Sequence, residues 1–294
     1  MLSNAIKADL YLLLVTFIAA LGWVLSREAL AAMTPLFFMG VRFTGAGLIL
    51  ALLGGNALMR LSRQDWYRGL LTGSVNALAM ACWIIGLSLT ENLGIAAFLN
   101  SLGVVFIPVV ARLFFHASIT VSTWVAVAVA LIGLVLLRVE GGFALAPSDV
   151  FFLLSALIFS VQFNLNSRFV KRIPALPLTA IQLFVTGVFC TLLSWWLEPS
   201  PTRVGGSIIA IVLTSILFAT CFRFWLQVKA QSLSTVGHAA VILTLEPIWT
   251  SLVGVWIYSE GMSALQVLGC MFIFCGLLIS RWRVLFCRPL PVTG

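Results

Sequence analysis

Long apolar stretches constrain this chain more than any other feature of its sequence. A helix that crosses the hydrocarbon core of a bilayer needs about 20 mostly apolar residues, and ten stretches come near that length. Continuous stretches predict helices, because the strands of membrane barrels show about ten residues of alternating polarity. The chain is therefore predicted to be an all-α integral membrane protein with ten transmembrane helices. The predicted spans are residues 9–26, 34–53, 67–88, 93–115, 119–138, 149–167, 177–197, 206–228, 234–258 and 262–281.

The composition agrees with a protein that lies almost entirely in the membrane. Only 9% of the 294 residues are charged and 62% are hydrophobic, whereas soluble domains carry about 25% charged residues. The mean hydropathy is +1.14. The loops between the predicted spans are short, so we expect no attached soluble domain and a lipid bilayer as the surrounding medium.

Positive charge is concentrated on one predicted side of the membrane. Arg27, Arg138 and Arg203 fall on the opposite side, and Arg42 and Arg223 fall within spans. This bias follows the positive-inside rule and predicts that both termini are cytoplasmic. The net charge of +8 therefore reflects topology, and no nucleic-acid partner is expected. The Lys and Arg residues on the cytoplasmic side are Lys7, Arg60, Arg63, Arg68, Arg112, Arg168, Lys171, Arg172, Lys229, Arg281, Arg283 and Arg288.

The two halves of the chain repeat one pattern at an offset of about 140 residues. The predicted units are residues 1–140 and 141–294, with five spans each. Because five is odd, the second unit enters the membrane from the opposite side, which gives inverted repeats with a site expected between them near the membrane midplane. The matched pairs are Thr44 with Thr186, Trp83 with Trp225, Pro108 with Pro247, and Gly133 with Gly276.

Glu246 and Pro247 lie near the middle of the ninth predicted span. A carboxylate inside a membrane helix is costly and marks a candidate functional residue. Pro247 has no backbone N–H, so the helix is expected to kink where Glu246 lies. The first half has Ile107 before its proline, so this acidic chemistry belongs to the second half alone.

The stretch of residues 234–279 resembles the end of an EamA-type repeat of the drug/metabolite transporter superfamily. The residues that carry the resemblance are Ala239, Ala240, Leu243, Thr244, Leu245, Glu246, Pro247, Glu260, Gln266, Gly269 and Gly276. Residues 17–50 resemble the opening of such a repeat, with Arg27, Pro35, Arg42 and Phe43 at matching positions. The chain departs from the pattern at Ser259, where the family usually has Gly, and at Ala19 and Ala20, where Trp-Gly is common.

The resemblance implies a multi-pass transporter of the inner (plasma) membrane with two EamA repeats. It implies small-molecule substrates moved by alternating access, with export of amino acids or other metabolites as the default activity. It implies no enzymatic activity and no cofactor. These implications concern fold and activity and name no particular solute.

Polar and aromatic side chains inside the spans are candidate substrate-binding or gating residues. Asn76 and Trp83 are seven residues apart and share one helix face, while Asn100 and Gln162 lie inside the fourth and sixth spans. A buried amide can bind either a neighbouring helix or a solute, and the sequence leaves both roles open. Trp23 and Trp83 would suit an apolar or aromatic part of a solute, although such rings also serve as packing residues.

Arg223 and Gln227 lie four residues apart in the eighth span, so that a cation and an amide share one helix face. An arginine at this depth needs a partner, and Glu246 is the acidic residue placed firmly inside a span. If the two residues pair, they form a structural contact or a gate. If they do not, Arg223 would anchor a carboxylate or phosphate of the substrate.

Two further basic residues carry alternative roles. We interpret Arg42 as a side chain that reaches the outer surface or pairs with Glu28, with substrate contact as the alternative. His238 could titrate near neutral pH and couple transport to protons, or it could be a polar packing residue at a helix end. Both remain candidates on the sequence alone.

A membrane-embedded enzyme is the rival class. It would use Glu246, His238 and Arg223 on a lipid-linked or small polar substrate, but the sequence contains no nucleotide-binding loop and no nucleophile motif. The six cysteines show no CxxC spacing and no His partner at zinc spacing, so neither a metal site nor a disulfide framework is predicted.

Overall fold

The computed structural model describes residues 4–115, 121–138, 146–199, 205–234, 239 and 242–280. Within these ranges all regular secondary structure is helical, which satisfies the backbone hydrogen bonds inside each segment, as a bilayer demands. The helices are α1 (Asn4–Leu30), α2 (Pro35–Leu53), α3 (Gly55–Met59), α4 (Arg63–Leu89), α5 (Leu93–Phe115), α6 (Val121–Arg138), α7 (Pro147–Phe169), α8 (Ala175–Leu197), α9 (Gly206–Leu233), α10 (Glu246–Tyr258) and α11 (Ala264–Ser280).

Seven of these helices, namely α1, α2, α4, α5, α7, α8 and α9, are long and apolar enough to cross a membrane. Large apolar side chains lie on the outside of the bundle, where Leu52 and Trp196 are 84% and 86% exposed. An outer surface of this kind suits contact with lipid. The chain is therefore a multi-pass membrane protein, and the regular secondary structure of its described residues is all helical.

The contacts between helices of the two halves are equivalent in pairs. When each helix is replaced by its counterpart in the other half, one observed contact becomes another observed contact. With α1, α2, α4, α5 and α6 matched to α7, α8, α9, α10 and α11, the contact of α1 with α9 corresponds to that of α7 with α4. Likewise α1 with α10 corresponds to α7 with α5, whereas α2 with α8 and α6 with α11 are their own equivalents. Such a pattern is expected for two copies of one unit around a pseudo-two-fold axis.

Helices α2 and α8 cross with their backbones in contact. A Cβ atom added to Gly187 would lie 2.1 Å from the backbone nitrogen of Thr44, and one added to Gly47 would lie 2.5 Å from that of Phe184. Small residues permit this close approach between helices in a membrane. Thr44 of α2 and Gly187 of α8 therefore lie at the interface between the two halves.

We expect Gly187→Ala to lower the free energy of unfolding by about 2 kcal/mol or more, because the added methyl group meets backbone that cannot rotate away. Unfolding in detergent, followed by circular dichroism, measures the change. Gly206→Ala is the matched control, since no described atom lies within 4 Å of the Cβ it would add. Equal stability of the two variants would contradict the close crossing of α2 and α8.

The predicted kink at Pro247 is a break in the structure. Helix α10 begins at Glu246, and Thr244 and Leu245 form a turn before it. Pro247 thus lies in the first helical turn, where its missing N–H removes no hydrogen bond. The matching Pro108 lies inside the continuous helix α5. The two halves therefore differ at this position, with a broken helix only in the second.

The carboxylate of Glu260 joins three elements at one end of the bundle. It pairs with Arg27 at the end of α1 and accepts hydrogen bonds of 2.9 and 3.1 Å from the backbone nitrogen of Leu93 at the start of α5. Ser259, just before it, has a φ of 52°, a left-handed conformation that favours Gly. The turn that the resemblance associates with Gly is thus made by Ser in this chain.

Glu260→Gln should lower the free energy of unfolding by about 2 kcal/mol, because hydrogen bonds to a charged group are lost while the Arg27 guanidinium is left without its counter-charge. Thermal unfolding in detergent tests this. Glu91→Gln removes a charge near the same end without altering the groups that bind Arg27 and Leu93, since Arg27 contacts only the backbone oxygen of Glu91. A stability loss equal to that of Glu91→Gln would contradict the role assigned to Glu260.

Candidate functional site

Seven helices, namely α1, α2, α4, α5, α7, α9 and α10, surround a cavity of about 130 Å³. We call it the central cavity. Its wall combines aromatic rings with polar and charged groups, and both halves of the chain contribute. The aromatic lining residues are Trp23, Phe43, Trp83, Phe159, Phe163 and Phe224, and the polar ones are Arg42, Asn100, Ser101, Ser160, Gln162, Arg223, Gln227 and Glu246.

Glu246 is held from both halves of the chain. The indole Nε1 of Trp23 donates a hydrogen bond of 3.0 Å to its Oε1, and the Arg223 Nη2 lies 3.4 Å from its Oε2. The carboxylate also lies in the first turn of α10, where the helix dipole favours negative charge. The pairing of Arg223 with Glu246, which the sequence left open, is therefore present in the structure.

Two aromatic rings pack against the Trp23 side chain. Trp23 is 2% exposed and contacts Trp83 edge to face, with ring centroids 4.8 Å apart and an interplanar angle of 76°. Phe152 also packs against it, with ring centroids 5.7 Å apart. This packing fixes the indole N–H toward Glu246, because an edge-to-face contact restricts ring orientation.

Arg42 is buried in the bundle, with 5% of its surface exposed. Its Nη1 donates to the Ser26 hydroxyl at 2.7 Å, its Nη2 to the Ala219 carbonyl at 3.1 Å, and its Nε to the Thr220 hydroxyl. It does not pair with Glu28, whose carboxylate instead accepts a hydrogen bond from Tyr258. The sequence interpretation that Arg42 reaches the surface is therefore wrong.

The partners of Arg42 on α9 lie in a π-helical stretch, Ser215–Phe222. Within it the Thr220 hydroxyl donates to the carbonyl of Ser215, five residues earlier, at 2.9 Å. Single π-helical insertions change the direction of local carbonyl and side-chain groups and occur often at functional sites. Here the stretch presents the Ala219 carbonyl and the Thr220 hydroxyl to the guanidinium of Arg42.

The candidate amides separate into two groups. Asn100, Gln162 and Gln227 line the central cavity, and the Asn100 Oδ1 and Gln227 Oε1 have no hydrogen-bond partner among the described residues. Asn76 is fully buried and lies outside the cavity-lining set. Its Nδ2 donates 2.8 Å to the Thr186 hydroxyl, so Asn76 joins α4 to α8.

His238, proposed for proton coupling, lies outside the described residues. Among the residues that the structure describes, no group of three His, Cys, Asp or Glu side chains could hold a metal ion. Chemistry at the described site therefore depends on one carboxylate, two guanidinium groups and neutral polar groups.

A bundle of membrane-length helices around a polar cavity is an architecture that many membrane transporters have. Residues 6–139 and 146–282 each match the EamA-like transporter family. The chain therefore belongs to this family, within the drug/metabolite transporter superfamily.

Similar proteins agree with this membership. The chain is 26% identical over 277 residues to an uncharacterized transporter of Archaeoglobus fulgidus, an alignment that covers 94% of this chain and 86% of the relative. A protein of known crystal structure superposes with a TM-score of 0.67 at 20% identity, and the match covers 94% of this chain and 98% of the other. The second similarity concerns the fold alone.

The Asn76–Thr186 hydrogen bond can be tested by a double-mutant cycle. We expect Asn76→Ala and Thr186→Ala each to lower stability and to be non-additive together, with a coupling of about 0.6 kcal/mol, as found for polar contacts between membrane helices. Thermal unfolding of the three variants in detergent supplies the values. Additive effects would contradict the contact and return Asn76 to the candidates for solute binding.

Proposed function

We propose that this protein exports amino acids or other small metabolites across the inner (plasma) membrane by alternating access. One observation carries the proposal: Glu246 of the second half is bound by Trp23 of the first half at the wall of the central cavity. A hydrogen bond from one half to a charged group of the other, beside a polar cavity, suits a site that rearranges as the halves move. The residues proposed to bind or gate the solute are Trp23, Trp83, Asn100, Gln162, Arg223, Gln227 and Glu246.

The proposed topology has ten transmembrane helices in two inverted five-helix units, residues 1–140 and 141–294, with both termini in the cytoplasm. The positive-inside bias of the sequence supports the orientation. The exchange of helix partners between the halves supports the pseudo-two-fold relation. In this topology α3 is a short helix on the cytoplasmic side and does not span the membrane.

Glu246 is the proposed centre of the conformational change. Trp23 on α1 and Arg223 on α9 both bind this carboxylate, so it joins three helices across the cavity. A solute that replaces Trp23 or Arg223 as a partner of Glu246 weakens the contacts between these helices. We expect this effect in the conformation that has these contacts and not in the alternate conformation of the transport cycle. Such differential binding is what a ligand needs in order to shift a conformational equilibrium.

The direction of transport rests on the resemblance to exporters of the same family. It can be tested with a mixture of solutes, so that the transported solute is identified by the assay itself. Inside-out membrane vesicles that contain the protein are incubated with a metabolite extract, and their contents are compared by mass spectrometry with those of vesicles that lack it. Accumulation of an unaltered solute supports export, whereas a new product without accumulation would support the membrane-embedded enzyme.

Glu246→Gln should reduce accumulation at least about tenfold while the protein remains folded, because the neutral amide no longer attracts Arg223 as a charge. The control Arg60→Gln removes one charge from an exposed site that lies outside the cavity-lining set. Folding is checked by elution volume in size-exclusion chromatography. Full transport in a folded Glu246→Gln variant would exclude Glu246 from the proposed site.

A further inference from the structure

Among the described residues, the ionisable side chains that line the central cavity are Arg42, Arg223 and Glu246. At neutral pH two of them are cationic and one is anionic. Glu246 already binds Arg223 and Trp23. The described wall of the cavity therefore carries one positive charge in excess, and that charge belongs to Arg42.

Arg42 has no carboxylate partner among the described residues. The three groups that accept its hydrogen bonds, the hydroxyls of Ser26 and Thr220 and the carbonyl of Ala219, are neutral. A guanidinium has five N–H groups, so two remain for a ligand. A buried charge without a counter-charge is costly, and an anion in the cavity would offset that cost.

The other lining groups indicate which hydrogen-bonding and apolar groups the rest of the ligand carries. The Arg223 Nε is buried and has no hydrogen-bond partner among the described residues, so it is a second unused donor. Gln227 is 9% exposed, and its Oε1 is an unused acceptor. Trp83, Phe159 and Phe163 supply aromatic wall.

We infer that the central cavity selects solutes that combine a single carboxylate with an apolar or aromatic body, and that Arg42 supplies the counter-charge. This inference rests on the proposed transport function and narrows its substrate class. A carboxylate fits better than a phosphate monoester, because its single charge balances the excess, whereas a phosphate carries about −1.5 to −2 at neutral pH. The planar guanidinium fork also matches the two oxygens of a carboxylate.

Three small probes that share a phenyl ring test the charge preference: benzoate, benzamide and benzylamine. Each is added to the purified full-length protein in detergent, and the midpoint of thermal unfolding is measured, since a ligand that binds the folded state raises it. Benzoate is expected to raise the midpoint at concentrations where benzamide and benzylamine do not. Equal responses to all three, a larger response to benzylamine, or no response to benzoate would overturn the inference.

Variants assign the response to Arg42. Arg42→Gln should abolish the benzoate response, and Arg42→Lys should retain part of it, because a lysine keeps the charge but loses the fork. Glu246→Gln should strengthen benzoate binding on the order of tenfold, because it removes the only acidic group of the described cavity wall. Arg60→Gln, at an exposed position, should bind benzoate as the unaltered protein does.

If Arg42→Gln does not fold, the Glu246→Gln variant still tests the inference. The expected result for this variant is tighter benzoate binding, and misfolding cannot produce tighter binding. Unchanged or weaker benzoate binding in Glu246→Gln would overturn the inference. Failure of the transport proposal is read separately: vesicles that accumulate no solute would refute transport, whereas accumulation of cationic solutes alone would refute only the carboxylate preference.

Discussion

The placement of charged side chains inside an apolar bundle is the constraint on which the rest of this structure depends. Removing one partner from a buried pair leaves an uncompensated charge, which is far more costly than the pair itself. Glu246 is therefore held by groups from α1 and α9, and Arg42 by groups from α1 and α9 as well. The charges that make the cavity polar also fix the helices that enclose it.

Much of this arrangement could be predicted from the sequence, because charges inside membrane spans are few. Arg223 and Glu246 were identifiable as partners for that reason, and the family membership follows from residues spread over both halves. The break at Pro247 was predicted in position but not in form. A proline signal gives the place where a helix loses a hydrogen bond, whereas the turn at Thr244 and Leu245 depends on packing around it.

Other contacts lay beyond sequence reasoning because three-dimensional packing decides them. The indole of Trp23 reaches a carboxylate 223 residues away, and no local pattern encodes that distance. The partners of Arg42 depend on a π-helical stretch that no spacing rule predicted. Asn76 carried the same signal as Asn100, yet Thr186 lies opposite the first, whereas the Asn100 oxygen has no partner among the described residues. Whether a buried amide binds another helix or is left for a solute depends on whether the neighbouring helix places a hydrogen-bonding group opposite it.

The unequal prolines of the two halves bear on the energetics of the proposed alternating-access cycle. In a strictly symmetric inverted repeat, exchanging the shapes of the two halves converts one end state into the other, and the two states have equal free energy. Here Pro108 lies within an unbroken helix, whereas Pro247 follows the acidic residue at which α10 begins. Exchange cannot regenerate the same contacts, so symmetry does not fix the resting populations at one to one. Under the proposed alternating-access cycle, this difference allows the empty protein to rest preferentially on one side.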